Sequence, residues 1–526
     1  METTDREILI IRLWCNSSSA IWTWKRGCQT ILRELMVEAQ SIKSIFILLF
    51  LLLVCTLTSC RDQADEAATG FNEQSRHCLS CHQIELDQAH RLDCLTCHLP
   101  SDDPTGYPEE HDPVLATPAH PDQAQEICGP CHVQEIEMVA ANNHYLLSGH
   151  ISVVAEAFGN PIDITGDTLE TGLSSYAEPE TVDQLVQDLL VRRCLRCHVY
   201  DKGDDFSAVT HGVGCGACHL SFKDGRLASH IFMAQPDDLR CLSCHYGNHV
   251  GFDYYGFYEH DLNEEYRTPY LAETTKLRAY GVENHTLAPD VHQRAGLACI
   301  DCHRKDNVMG SRDNPSCSDC HLDQIDKIPA ESPLQIEDDK VFYISSVTAE
   351  KLDVPQLQHP VHERHGDRFS CQSCHAQWTF NDSPTHLLRI DHEEFDDFYK
   401  LSLDGSSEVL RIISSHILDD GDLLEPFMTN KFTGEAIPGI WFRGFGERRW
   451  EQVLLEEDAD GTVVTVRPIL DLRLSWIDGD EAIRFDNLEP VDGLLRSLPY
   501  APHTIGKAGL FYESRIRPHL IESGND

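Results

Sequence analysis

One five-residue pattern, Cys-x-x-Cys-His, occurs nine times in this chain of 526 residues. The repeats begin at Cys78, Cys94, Cys128, Cys194, Cys215, Cys241, Cys299, Cys317 and Cys371. With 22 Cys and 29 His in the chain, chance would supply roughly 0.05 copies. Cysteines three apart lie on one face of a helical turn. They can form thioethers to the two vinyl groups of one porphyrin, and the adjacent His can offer its imidazole to the iron. A zinc ribbon would pair two Cys-x-x-Cys units without a His after each. A redox dithiol would occur once. Nine haem c groups are therefore the expected cofactors.

The covalent positions are Cys78, Cys81, Cys94, Cys97, Cys128, Cys131, Cys194, Cys197, Cys215, Cys218, Cys241, Cys244, Cys299, Cys302, Cys317, Cys320, Cys371 and Cys374. The proximal iron ligands are then His82, His98, His132, His198, His219, His245, His303, His321 and His375. The four remaining cysteines, Cys15, Cys28, Cys55 and Cys60, all precede the first motif.

Each iron needs a sixth ligand or an open face. Seventeen further histidines fall between His77 and His392, enough to close all nine irons. Position relative to the motifs selects His90, His120, His144, His211, His230, His249, His292, His365 and His386 as distal candidates. His111, His150, His285, His362 and His392 stand in reserve. Pro502-His503-Thr504 lies far from any motif, and His503 is a further candidate ligand. Met138, Met233 and Met309 are too irregularly placed for general Met ligation. Iron closed by two histidines suits electron transfer, whereas a reductase needs an open face with electrostatic groups around it. Tyr254, Tyr255 and Tyr258 beside His260 are the best candidates for such a face, although a packed aromatic surface fits them better.

The elements around these residues are short. First cysteines are separated by 16, 34, 66, 21, 26, 58, 18 and 54 residues, which reads as three triplets and as an internal repeat. The similar segments HYLLSGH (144–150) and HLLRIDH (386–392) support the repeat. Between motifs the chain is rich in Gly, Pro, Asp and Asn, so the expected fold is a haem-cored assembly of short helices and loops. The segment 181–193 has helical periodicity, with Leu185, Leu189 and Leu190 on one side. A haem-free insertion, 322–358, contains the strand-like VFYISSV from Val341. The last part, 393–526, has no Cys and reads as a small, mainly antiparallel β domain. Its clearest signal is a hairpin across Asp458-Ala459-Asp460-Gly461, and Trp441, Trp450 and Trp476 are its expected core or haem-covering residues.

The expected organisation is as follows. Residues 1–35 are an extension ahead of a true start at Met36, 36–59 a signal peptide, and 60–75 a linker. The triplets occupy 76–150, 194–260 and 292–392, with linkers 151–193 and 261–291 between them. Ile45–Leu57 is a 13-residue apolar run, which suits a signal core and is short for a membrane span. It ends in Leu57-Thr58-Ser59-Cys60, similar to a bacterial lipoprotein signal with Cys60 as the lipidated residue. Arg61 after it resembles outer-membrane sorting. With 42 basic and 86 acidic residues the net charge is −44, which argues against nucleic acid as a partner.

Together the nine motifs, the LTSC sequence and the haem-free tail resemble lipoprotein multihaem c-type cytochromes of metal- and oxyanion-respiring bacteria, the type encoded with selenite and tellurite reduction systems in particular. The resemblance implies electron transfer along a haem chain in periplasmic or outer-membrane respiration. The implied partners are other redox proteins, an outer-membrane conduit among them, and a membrane reached through the lipid. The alternative is a multihaem terminal reductase acting on a small oxyanion or a nitrogen or sulfur compound at one five-coordinate haem. No Cys-x-x-Cys-Lys occurs, which argues against the ammonia-forming nitrite reductases.

Overall fold

The computed structural model describes residues 78–101, 113–159, 173–247, 251–259, 284–310, 314–321, 332–382, 385–395, 397, 406–418, 424–443, 448–451, 453–469, 472–491, 496–508 and 512–521. The expected signal peptide, the lipidation site Cys60, His111, His249 and His260 lie outside them. Among the described residues no helix is long and apolar enough to cross a membrane.

The chain divides into two compact units, one of residues 1–83 and 92–94, the other of 84–91 and 95–526. In the first, the Cys78 motif forms a single turn, with the His82 amide donating to the Cys78 carbonyl at 2.9 Å.

The second unit carries the largest apolar cluster. It joins the helices Ser148–Ala157, Val182–Arg192 and Ser407–Leu418 to a four-stranded sheet. The helix Val182–Arg192 starts where Thr181 accepts the Gln184 amide and Asp183 meets the positive helix end; Arg192 sits at the negative end. Leu185, Leu189 and Leu190 are fully buried, on the face that the periodicity predicts. Asp188 and Arg192 on the same helix are also fully buried, and they form an ion cluster with Arg389 and Asp391.

The sheet runs 440–443, 385–390, 472–477, 483–488. The pair 385–390 and 472–477 is parallel, and the other two pairs are antiparallel. The sheet thus takes in residues from both sides of position 393. Strand Thr385–Ile390 is interior to the sheet, and Thr379–Asp382 pairs with Arg448–Glu451. The physical reason is burial: Leu387, Arg389 and Ile390 are inward residues of a strand. HYLLSGH, by contrast, is helical over Asn143–Leu146 and from Ser148, so the two segments share letters and not conformation.

The expected hairpin forms from Leu454–Glu457 and Val463–Ile469, with Arg496–Pro499 as a third strand. Asp458 closes its turn by accepting the Asp460 and Thr462 amides, and Gly461 takes φ +82°. The insertion holds a meander of Leu334–Glu337, Lys340–Ile344 and Lys351–Asp353. Trp441 and Trp476 are buried in the large cluster, their indole N–H groups bonded to Asp188 and Asp391. Trp450 contributes its backbone to the pairing with Phe380.

Candidate haem-attachment sites and their histidine pairs

The motifs fold as single helical turns. Cys94–Cys97, Cys215–His219, Cys299–Cys302 and Cys371–His375 are α-helical; Cys194–Cys197 and Cys317–Asp319 are 3-10 turns. In the motifs at Cys78, Cys128, Cys241, Cys299 and Cys317 the His amide bonds the carbonyl of the first cysteine at 2.8–2.9 Å. That turn puts both thiols and the imidazole on one side. Free cysteines are ordinarily among the most buried residues. Here none of the eighteen is in a disulfide and none is fully buried.

Six motif histidines face a second histidine ring. His98 faces His230 with ring centres 6.4 Å apart, and His132 faces His90 at 6.1 Å. His245 faces His144 at 6.3 Å, and His303 faces His503 at 6.1 Å. His321 faces His292 at 5.9 Å, and His375 faces His362 at 6.1 Å. Two imidazoles on one metal, each bound at about 2 Å through Nε2, hold their ring centres roughly 6 Å apart. Among the described residues no three or more His, Cys, Asp or Glu side chains converge as a metal-ion site. The histidines meet in twos, the number an iron already held by a porphyrin can accept.

The other ring nitrogen is tethered in most of these histidines, whereas Nδ1 of His362 is buried with no hydrogen-bond partner. Nδ1 donates to a backbone carbonyl in His98 (Leu115, 2.8 Å), His219 (Met233, 2.7 Å), His321 (Pro355, 2.7 Å) and His375 (Gly506, 2.9 Å). In His303 it donates to Asn307 Oδ1 at 2.9 Å. Among the facing histidines, His90 donates to Asp87, His144 to Asn142, His292 to Asp290 and His503 to the Ala501 carbonyl, all at 2.7–3.0 Å. A second hydrogen bond on Nδ1 fixes the tautomer and leaves Nε2 for a metal. Burial holds His144, His303, His321 and His362 below the usual histidine range, so they are neutral and able to ligate at pH 7.

The Cys194 site is built differently. The His198 ring is buried against Tyr200 and Phe432; Nδ1 accepts the Tyr200 amide at 3.3 Å and Nε2–H donates to the Tyr145 carbonyl. His211 lies beside Cys197. Its Nδ1 donates to the Gly212 carbonyl at 2.7 Å, while its buried Nε2 has no hydrogen-bond partner. An orphaned buried nitrogen next to an attachment cysteine is what an absent metal would leave. Gly203 makes room for the ring, since a Cβ there would stand 2.7 Å from it. His120 stands edge-on to Tyr200, with Nδ1 accepting the Asp122 amide.

No known family model, curated protein or solved structure matches this chain.

Of the distal candidates, His90, His144, His230 and His292 each face a motif histidine, and His211 and His120 stand at the Cys194 site. His365 packs against Phe369, and the ring opposite His375 is that of His362, one helical turn earlier. His386 lies in the sheet with Nε2 3.4 Å from the Ser475 hydroxyl, and Nδ1 of His392 accepts the Glu394 amide. His285 stacks on Tyr258. His362 and His503 are the positions that spacing ranks low. His362 carries a signal in its place one helical turn from His359, on the helix Pro360–His365, and His503 in its Pro-His-Thr segment. The Tyr254 hydroxyl donates to the Leu297 carbonyl and that of Tyr255 to Asp238, so both are engaged in packing.

Proposed function

We propose that this chain is a nine-haem c-type cytochrome that carries electrons between redox proteins outside the cytoplasmic membrane, held at a membrane by lipid on Cys60. The observation that supports it most is the set of six facing imidazole pairs, each pairing a motif histidine with one from elsewhere in the chain. The eighteen motif cysteines would hold the groups covalently, and eight of the nine motif histidines would supply one axial ligand each as placed; His198 would first have to give up its Nε2–H bond to the Tyr145 carbonyl. His90, His144, His230, His292, His362 and His503 would supply the second at six sites, and His211 at the Cys194 site. Bound haem supplies a one-electron iron couple, its potential set by axial ligands, hydrogen bonds and burial.

The chain's own contribution is rigid placement. Asp87, Asn142, Asp290 and the carbonyls of Leu115, Met233, Pro355 and Gly506 orient the imidazoles and raise their basicity, which lowers the potential. The acidic surface acts in the same direction, because surrounding negative charge favours the more positive ferric state over the ferrous one.

His503 gives the sharpest test, because it comes from the Cys-free tail. Asp253 accepts its amide at 2.9 Å and the Tyr500 hydroxyl at 2.8 Å, which fixes the segment against the haem-bearing region. His503→Ala is expected to convert one low-spin ferric haem to high spin in electron paramagnetic resonance, with haem content unchanged. His362→Ala should do the same, and His365→Ala should leave the spectrum as it is. A wild-type spectrum from His503→Ala and His362→Ala would remove both from the ligand set.

A further inference from the structure

The motifs of the second unit are not arranged in space as they are in sequence. Resting on the haem reading above, we infer that its array is branched: the route runs through the Cys128, Cys215, Cys241, Cys299, Cys317 and Cys371 sites, and the Cys194 site is a side branch on the Cys241 site. Each motif sulfur is a porphyrin attachment point, so contact between sulfurs of two motifs brings two porphyrin edges together. Electron tunnelling falls off exponentially with edge separation, so these contacts define the route.

Wiring in sequence order would set the Cys194 site between those of Cys128 and Cys215. Instead the Cys128 and Cys215 thiols are hydrogen-bonded to each other. The backbone is shaped for that contact. The Cys215 amide donates to the Ala119 carbonyl at 3.3 Å. Gly214 adopts φ +50°, and a Cβ there would lie 1.8 Å from that carbonyl oxygen. Only glycine lets this motif dock against the segment leading to Cys128.

The Cys241 motif is the junction. Cys241 is hydrogen-bonded to Cys299 and also interacts with Cys218 of the preceding motif. The Cys299 amide is held by Asp238 at 2.9 Å. The second cysteine, Cys244, points another way and meets Cys197, with its sulfur 3.6 Å from the Cys197 carbonyl. Onward, Cys302 interacts with Cys320, and Cys317 is hydrogen-bonded to Cys371.

The branch is enclosed. His198 is 1% exposed, and Leu195 is fully buried in the large apolar cluster. A redox partner therefore has no docking face there, and the branch holds one electron drawn through the junction and returned through it. No bond is made or broken: an electron enters from a reduced redox protein and leaves to an oxidised one.

A cryo-electron microscopy map of the full-length holoprotein tests this. The expected map shows the Cys241 porphyrin with three near neighbours, those of Cys194, Cys215 and Cys299, and the Cys194 porphyrin with the Cys241 porphyrin alone. Porphyrins packed in sequence order, with that of Cys194 between those of Cys128 and Cys215, would overturn the branch while leaving the haem reading intact. A map without porphyrin density would overturn the haem reading itself.

Discussion

Asp188→Ala is expected to cost about 3–5 kcal/mol of stability, the range found when one partner of a buried ion pair is removed. Asp188 is fully buried, and its carboxylate accepts from Arg192 (3.3 Å), Arg389 (3.0 Å), the Trp441 indole (2.8 Å) and the Tyr176 amide (3.0 Å). Burial, helped by the neighbouring Arg389 charge, pulls Arg192 below the usual guanidinium range, and Asp188 is the group that most opposes it. Without the carboxylate, two fully buried guanidinium groups face each other, with Asp391 left as a partner for Arg389. The indole and one amide also lose their acceptor, and each unsatisfied group costs about 1–3 kcal/mol. A typical domain has only about 5–15 kcal/mol in total. The measurement is urea unfolding followed by tryptophan fluorescence, since Trp441 and Trp476 sit in this cluster. A midpoint unchanged from wild type would mean that the cluster does not hold helix 182–192 to the sheet.

The second large effect is on cofactor content. Cys371→Ala with Cys374→Ala is expected to remove one haem of the nine and leave the β region folded. This motif is tied to that region by backbone and side-chain bonds that do not need its thiols. The Ser370 amide and the Ser373 hydroxyl both donate to the Val463 carbonyl at 2.9 Å. Arg515 donates to the Ser373 and Ala376 carbonyls at 2.9 and 3.1 Å. Phe369, Val463 and Ile516 bury one another beneath it. Intact mass and visible absorption together measure the outcome. Loss of two or more haems, or an insoluble product, would show that docking at this site depends on the haem.

The motif turns were legible because their chemistry is local: thiols three residues apart and a histidine next to them need only one helical turn. The candidate partners were legible in part. His90, His144, His230 and His292 stand out by spacing, yet which motif each faces is a tertiary property. His230 follows the Cys215 motif but faces His98, and His144 follows the Cys128 motif but faces His245. His365 and His362 are both on the helix Pro360–His365, and only packing decides which of the two rings turns toward His375. HLLRIDH carries histidines at ligand-like spacing, and its Leu, Arg and Ile are the inward residues of a central strand. The helix 182–192 and the 454–469 hairpin were readable because their signals, a capped amphipathic run and an Asp-Gly turn, are again local. Arg389 in the sheet core was not readable, since its burial depends on Asp188 from a helix far earlier in the chain.

The central claim is tested most directly by counting haems on the purified protein. Intact mass under denaturing conditions, with the iron-to-protein ratio, should give nine covalently bound haems per chain and no motif thiol open to alkylation. Free motif thiols, bound zinc in place of iron, or haem released by denaturation would contradict it.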